Sequence, residues 1–270
     1  MLRKFLLAGS IGLILAGSLT AVADTIESVE KAIIEKTAKH TSFQGKTSST
    51  QDMLAGEMKF TSKGDMAYEF MKKGDKWLYR SEGRTKSTTV MSGQEQKSDS
   101  TVLMICDGEF LYTLTDNDGQ KMAMKTRAPD QNIMVTNKAY FDNLRKDFDL
   151  KLLPDETIDG KSTWVIEATN KQAKSMPAGT LTTMLNYFDK DSGLTIRTIG
   201  KDSTGKTVMT TNTTDIKINP TIAADRFVFK APEGVQIMDV TQQAPAAGEP
   251  KAASDQQTTE QQQETEKKEK

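Results

Sequence analysis

The sequence predicts a mainly-β (α+β) fold: one large, strongly curved antiparallel sheet of about ten to eleven strands, with two short amphipathic α-helices. Three observations carry that expectation. Apolar and polar residues alternate with period two in about ten runs after Phe43. Short clusters of Asp, Asn, Ser and Gly separate the runs, so neighbouring strands form antiparallel hairpins. No rhythm of strand, helix, strand is present, which argues against a parallel sheet.

Residues 1–23 read as a secretory signal peptide. Arg3 and Lys4 give the positive end, Phe5 to Ala16 the apolar stretch, and Ala21-Val22-Ala23 a small-x-small cleavage site. The apolar run is too short and too broken by Gly and Ser for a membrane span. Cleavage after Ala23 and a periplasmic location are expected. Cys106 is the one cysteine, so no intrachain disulfide can form, and burial in a strand is its expected fate.

The expected folded domain runs over 24–240. Its first element is a helix: Asp24 and Glu27 have capping-box spacing, and Ile26, Val29, Ile33 and Ile34 form an apolar stripe. His40, the one histidine, reads as a helix-end residue. Strands follow around Met58/Phe60, Met66/Tyr68/Phe70, Trp77/Tyr79, Phe110/Tyr112/Leu114 and Met122/Met124. A second helix over Asn137–Phe148 interrupts them, with Tyr140, Phe141, Leu144 and Phe148 on one stripe. Further strands are expected around Trp164/Ile166, Leu181/Leu185/Tyr187, Leu194/Ile196, Val208/Thr210, Ile216/Ile218 and Val235/Ile237. The expected turns are Asp107-Gly108, Asn117-Asp118-Gly119, Asp159-Gly160, Asp191-Ser192-Gly193 and Ser203-Thr204-Gly205. The final segment, 241–270, has seven Gln, five Glu, five Ala and four Lys and no large apolar residue. Such a composition cannot offset its ordering entropy, and a disordered tail is expected.

Charge and motifs exclude several functions. With 36 Lys+Arg against 37 Asp+Glu there is no basic field for nucleic acid. One histidine and one cysteine rule out a multi-ligand zinc site and leave a His-based triad to His40 alone. Gly160-Lys161-Ser162-Thr163 lacks the leading glycine of a phosphate loop and sits in a hairpin turn. The pairs Asp189/Asp191 and Asp116/Asp118 read as turn formers. No catalytic residue, metal ligand or cofactor is assigned, and an enzyme is the least favoured class.

What remains is apolar chemistry. The chain has 14 methionines, a residue that fills irregular cores and also suits surfaces accepting ligands of varied shape. Core filling is the stronger reading of the residues alone. If the sheet curls round a cavity, Tyr68, Phe70, Trp77, Tyr79, Phe110, Tyr112, Met122 and Met124 are the candidate ligand-binding wall. The stripe Tyr140, Phe141, Leu144 and Phe148 is the candidate lid.

Several motifs together resemble the LolA/LolB lipoprotein-carrier superfamily. They are Ser42-Phe43-Gln44-Gly45 after the first helix, the strand entry Asp107-Gly108-Glu109-Phe110-Leu111-Tyr112, and the hairpin Ile158-Asp159-Gly160-Lys161 leading to Trp164-Val165-Ile166. Tyr187 to Leu194 supplies a further hairpin, and Asn219-Pro220, Phe227, Phe229 and Pro232-Glu233-Gly234-Val235 the closing block. The resemblance implies an incomplete antiparallel β-barrel closed by short helices. It implies a periplasmic, non-enzymatic, monomeric carrier that shelters lipid or lipoprotein acyl chains and exchanges them with a membrane-anchored donor or acceptor protein. The family's proline- and arginine-containing strand has no counterpart in Lys63–Phe70, so no latch arginine carries over. An RseB-like sensor that binds a partner's periplasmic domain is the alternative.

Overall fold

The computed structural model describes residues 24–129 and 138–241. The expected signal peptide, the tail beyond 241 and the irregular stretch over 130–137 lie outside the described residues.

The chain begins with helix α1 (Ile26–Thr37) and then runs as a meander of β1 (Ser42–Ala55), β2 (Met58–Lys73), β3 (Lys76–Met91), β4 (Gln94–Cys106), β5 (Phe110–Asn117) and β6 (Gln120–Arg127). Helix α2 (Lys138–Asp147) leads into a second meander of β7 (Phe148–Ile158), β8 (Lys161–Asn170), β9 (Leu181–Asp189), β10 (Thr195–Asp202) and β11 (Thr207–Ile218), and β12 (Ile237–Asp239) comes last. All 12 strands form one sheet in the order β12-β6-β5-β4-β3-β2-β1-β11-β10-β9-β8-β7. The pairing of β1 with β11 fuses the two meanders, and β7 and β12 are the ends of an open, curved sheet.

The five expected turns all join consecutive strands. Asp118, Asp159, Gly119, Gly160, Gly193 and Gly205 adopt positive φ in them. Four details differ from the sequence reading. The sheet has one or two more strands than expected: the runs Met58/Phe60 and Met66/Tyr68/Phe70 form one strand, as do Val208/Thr210 and Ile216/Ile218, while β1, β4 and β7 were not expected, β1 and the distal part of β4 because Ser, Thr and Gln on both faces show no alternation. The helix cap is Thr25 with Ser28, one residue beyond Asp24, because the Thr25 hydroxyl accepts from the Ser28 amide at 3.2 Å. Phe148 opens β7 and pairs with Asn170, so it does not end the second helix. Finally, β12 runs parallel to β6, reached through the turn Pro232–Val235 in which the Val235 amide donates to Pro232 O at 3.1 Å.

Directly paired residues share a face of the sheet. Both helices pack on one face, over β7–β9. There Val29 and Ile33 of α1 and Phe141 of α2 form a core with Trp164, Ile166 and Phe188. Burying side chains of this size contributes about 1.5–3 kcal/mol each. Arg145 of α2 donates to the buried Glu30 of α1, which ties the helices to each other. On the opposite face, the turn Ala224–Phe227 and its flanks cover Leu78 and Ile105 with Phe227, Ile222 and Phe229. Asn219 holds that segment in place: its Oδ1 accepts from the Thr41 amide at 2.8 Å, and its amide donates to Ser42 O at 2.8 Å.

Candidate functional site

Next to the helices, on the same face, lies a cluster of aromatic rings. Phe43 stacks on Phe70 with centroids 4.5 Å apart and meets Tyr68 and Trp77 edge-on at 6.2 Å and 5.7 Å. Phe70 continues to Tyr79 at 4.7 Å, and the Tyr79 hydroxyl donates to Ser81 Oγ at 2.5 Å. Burial pushes the Tyr68 phenol up to about 12. Burial likewise raises Tyr79, partly offset by the Ser81 contact. Small residues opposite the rings make room for them. A Cβ on Gly45 would lie 2.5 Å from the Tyr68 hydroxyl, so the ring occupies space that glycine leaves open.

From this cluster, register carries an apolar band across the sheet to its β12 end. One paired row reads Tyr68–Ser81–Met104–Thr113–Met124–Met238. The row beside it reads Met66–Gly83–Val102–Thr115–Met122. Both lie on the helix-bearing face, beyond the helices themselves. Met122 is 52% exposed and Met238 56%, so these side chains are not core filling.

The structure therefore divides the eight expected wall residues. Tyr68, Phe70, Trp77, Tyr79, Met122 and Met124 share the helix-bearing face. Phe110 and Tyr112 do not join them. Cys106 pairs with Leu111, and Ile105 with Tyr112, which places Phe110 and Tyr112 on the opposite face. There Lys125 Nζ lies 3.9 Å from the Phe110 ring centroid and Phe229 stacks on Tyr112. The four candidate lid residues divide similarly. Phe141 is 1% exposed within the core, Tyr140 packs against that core, Leu144 is half-buried on α2, and Phe148 belongs to β7.

Sequence reasoning missed Met66, Val102, Met104 and Met238 as members of the band, although each was legible as an apolar residue. It also missed a charged cavity of about 430 Å³ beside Tyr68 on the opposite face. His40 is buried as well as following the helix. Its ring lies edge-on to Phe43 at 6.2 Å, and burial lowers its pKa. No group of three or more His, Cys, Asp or Glu able to hold a metal occurs among the described residues.

An open, curved sheet with helices on one face and an apolar band beside them defines the class of fold. No family model matches the sequence. An uncharacterized protein of Methanocaldococcus jannaschii, MJ0687, is 25% identical over 138 residues, covering 51% of this chain and 38% of that protein. Solved structures that the chain resembles include MucB, at TM-score 0.42 and 14% identity over 78% of this chain and 64% of that one. They also include the LolA superfamily protein NE2245 of Nitrosomonas europaea, at TM-score 0.27 and 14% identity over 77% and 99% of the two chains. A putative outer membrane lipoprotein-sorting protein domain from Vibrio parahaemolyticus gives TM-score 0.33 and 11% identity over 74% and 96%.

Proposed function

We propose that this protein is an exported, non-catalytic binding protein that shelters acyl chains of lipids or lipoproteins on the apolar band. The supporting observation is the run of Tyr68, Met104, Met124 and Met238 on one face, with exposed Met at its far end. From β1 to β12 the band crosses six inter-strand steps of about 4.8 Å, roughly 29 Å of surface. Thioethers adapt to an extended chain without a fixed shape. Sheltering one CH₂ is worth about 0.8 kcal/mol, so a ~16-carbon chain gains on the order of 12 kcal/mol before ordering costs. Release then requires a competitor for the same surface, and a membrane-anchored acceptor protein would serve.

Native mass spectrometry of the protein purified from periplasm, read for co-purified lipid, is the direct test. A fluorescent fatty-acid probe supplies the second. Met104→Asp puts a charge in the middle of the band and should abolish probe binding. Phe110→Asp, on the other face, should leave it intact. Equal losses in both variants, or no probe binding by wild type, would refute the acyl-chain reading and favour a sensor working through protein–protein contact.

A further inference from the structure

The face opposite the apolar band holds the cavity of about 430 Å³, between β1, β2, β3, β11 and the turn carrying Arg226. A mismatch of side-chain size creates it. On this face one paired row reads Lys217–Gln44–Glu69–Arg80, and the next reads Thr214–Lys46–Ala67–Glu82. Ala67 is short among long neighbours. Beside it, Gly45 lies opposite a bulge where Asp215 takes a φ of 54°. The result is a depression with a charged rim.

The charges do not cancel. Arg226 grips Glu69 through Nε at 3.0 Å and Nη2 at 3.2 Å. Lys46 Nζ holds Asp215 at 2.9 Å, and Arg80 Nη2 donates to Glu82 Oε2 at 2.8 Å. Each carboxylate lining the cavity thus has its own cation, while Lys217 has no ion pair among the described residues. The Arg80 side chain is only 16% exposed, and its Nε and Nη1 have no partner among the described residues. The site has donors and one positive charge to spare, in a recess where a guanidinium is held still.

We propose that this cavity binds an oxyanion, a phosphate or carboxylate group, with the Arg80 fork as the oriented donor and Lys217 as the counter-charge. The site lies on the other side of the sheet from the acyl-chain band and does not depend on that reading. The same chemistry can arrive as free phosphate or as the headgroup of an anionic lipid.

Calorimetric titrations of wild type, Arg80→Gln and Lys217→Gln separate these sources. The probes are inorganic phosphate and dihexanoyl phosphatidic acid below its micelle concentration. Saturable binding in wild type, weakened at least about tenfold in both variants, is expected. Lys217 is exposed, so its variant should unfold like wild type and guard against a folding defect in Arg80→Gln. Binding of phosphate supports a free oxyanion, and Arg80-dependent binding of the lipid alone supports a headgroup. If neither probe saturates wild type at millimolar concentration, the proposal is overturned. Binding that both variants retain at wild-type strength overturns it equally, because such binding lies elsewhere on the molecule.

Discussion

The Phe229 ring lies on Tyr112, with centroids 5.1 Å apart and planes 10° from parallel. This stack shows how the chain uses its last described segment. The strands β3–β5 present Leu78, Ile105 and Tyr112 on the face without helices, and the segment around Phe227 is folded back to cover them. Burial of that face is therefore contributed by residues more than a hundred positions away.

Truncation of this strap should be costly. Phe227 is 2% exposed, and Phe227→Ala should destabilise by about 3–5 kcal/mol. Phe229→Ala, which loses a half-buried ring and its stacked partner, should cost about 2–3 kcal/mol. Urea unfolding curves measure both. Fatty-acid probe binding by the folded fraction should be unchanged, because the band lies on the other face.

Tyr68 should titrate well above the ordinary tyrosine range. Its pKa is pushed up to about 12 by burial, against an ordinary value of about 10 in the unfolded chain. The neutral phenol's contribution is fully present below the unfolded value. It is lost as pH rises from about 10 through the folded value, since the unfolded chain releases its proton first. Absorbance titration at alkaline pH should show late-titrating phenol, and Tyr68→Phe should diminish it by one group and flatten the alkaline fall in stability.

Asp202 is a second titration point, with the opposite sign. Its carboxylate accepts from Thr204 Oγ1 at 2.6 Å, Thr204 N at 2.9 Å, Lys206 N at 3.0 Å and Gly179 N at 3.1 Å. The Thr204 hydroxyl and then these amides hold its pKa below the usual carboxylate range. Its contribution is present above the unfolded value of about 3.9 and is lost as pH falls through the folded value. Asp202→Asn should lower the melting temperature at neutral pH. It should also show a shallower further loss on acidification than wild type, as thermal scans across an acid pH series would reveal.

Much of this fold was legible in the sequence because turns and alternation are local. Asp159-Gly160 and Asn117-Asp118-Gly119 fix hairpins by their own backbone preferences, and Val29, Ile33 and Phe141 mark the helix faces that reach the core. What was not legible depends on pairing. Thr47–Asp52, Thr85–Met91 and Gln94–Ser100 are strands only because long neighbours hold them in a ladder. The division of the candidate wall depends on one turn. Asp107 N donates to Phe110 O, so the hairpin closes with Cys106 opposite Leu111. A closure shifted by one residue would have turned Phe110 and Tyr112 toward Tyr79. Composition cannot decide that shift. The charged cavity was hidden for the same reason, since Arg80, Glu69, Gln44 and Lys217 become neighbours only across four strands.

The parallel strand β12 has a further consequence, for solubility. An open sheet exposes unpaired backbone at both ends, and such edges invite pairing with another chain. At one end, Pro154 and the bulge between Leu153 and Glu156 spoil β7 as a template. At the other, Ile237–Asp239 lies along Ala123–Lys125, and the Val240 amide donates to Lys125 O at 3.0 Å. Three residues thus plug the middle of the β6 edge, on a chain whose broad apolar band would otherwise sit beside an unguarded strand. A chain ending before Ile237 would keep its core clusters yet gain a free, methionine-flanked edge, and self-association through it would compete with every other use of that face.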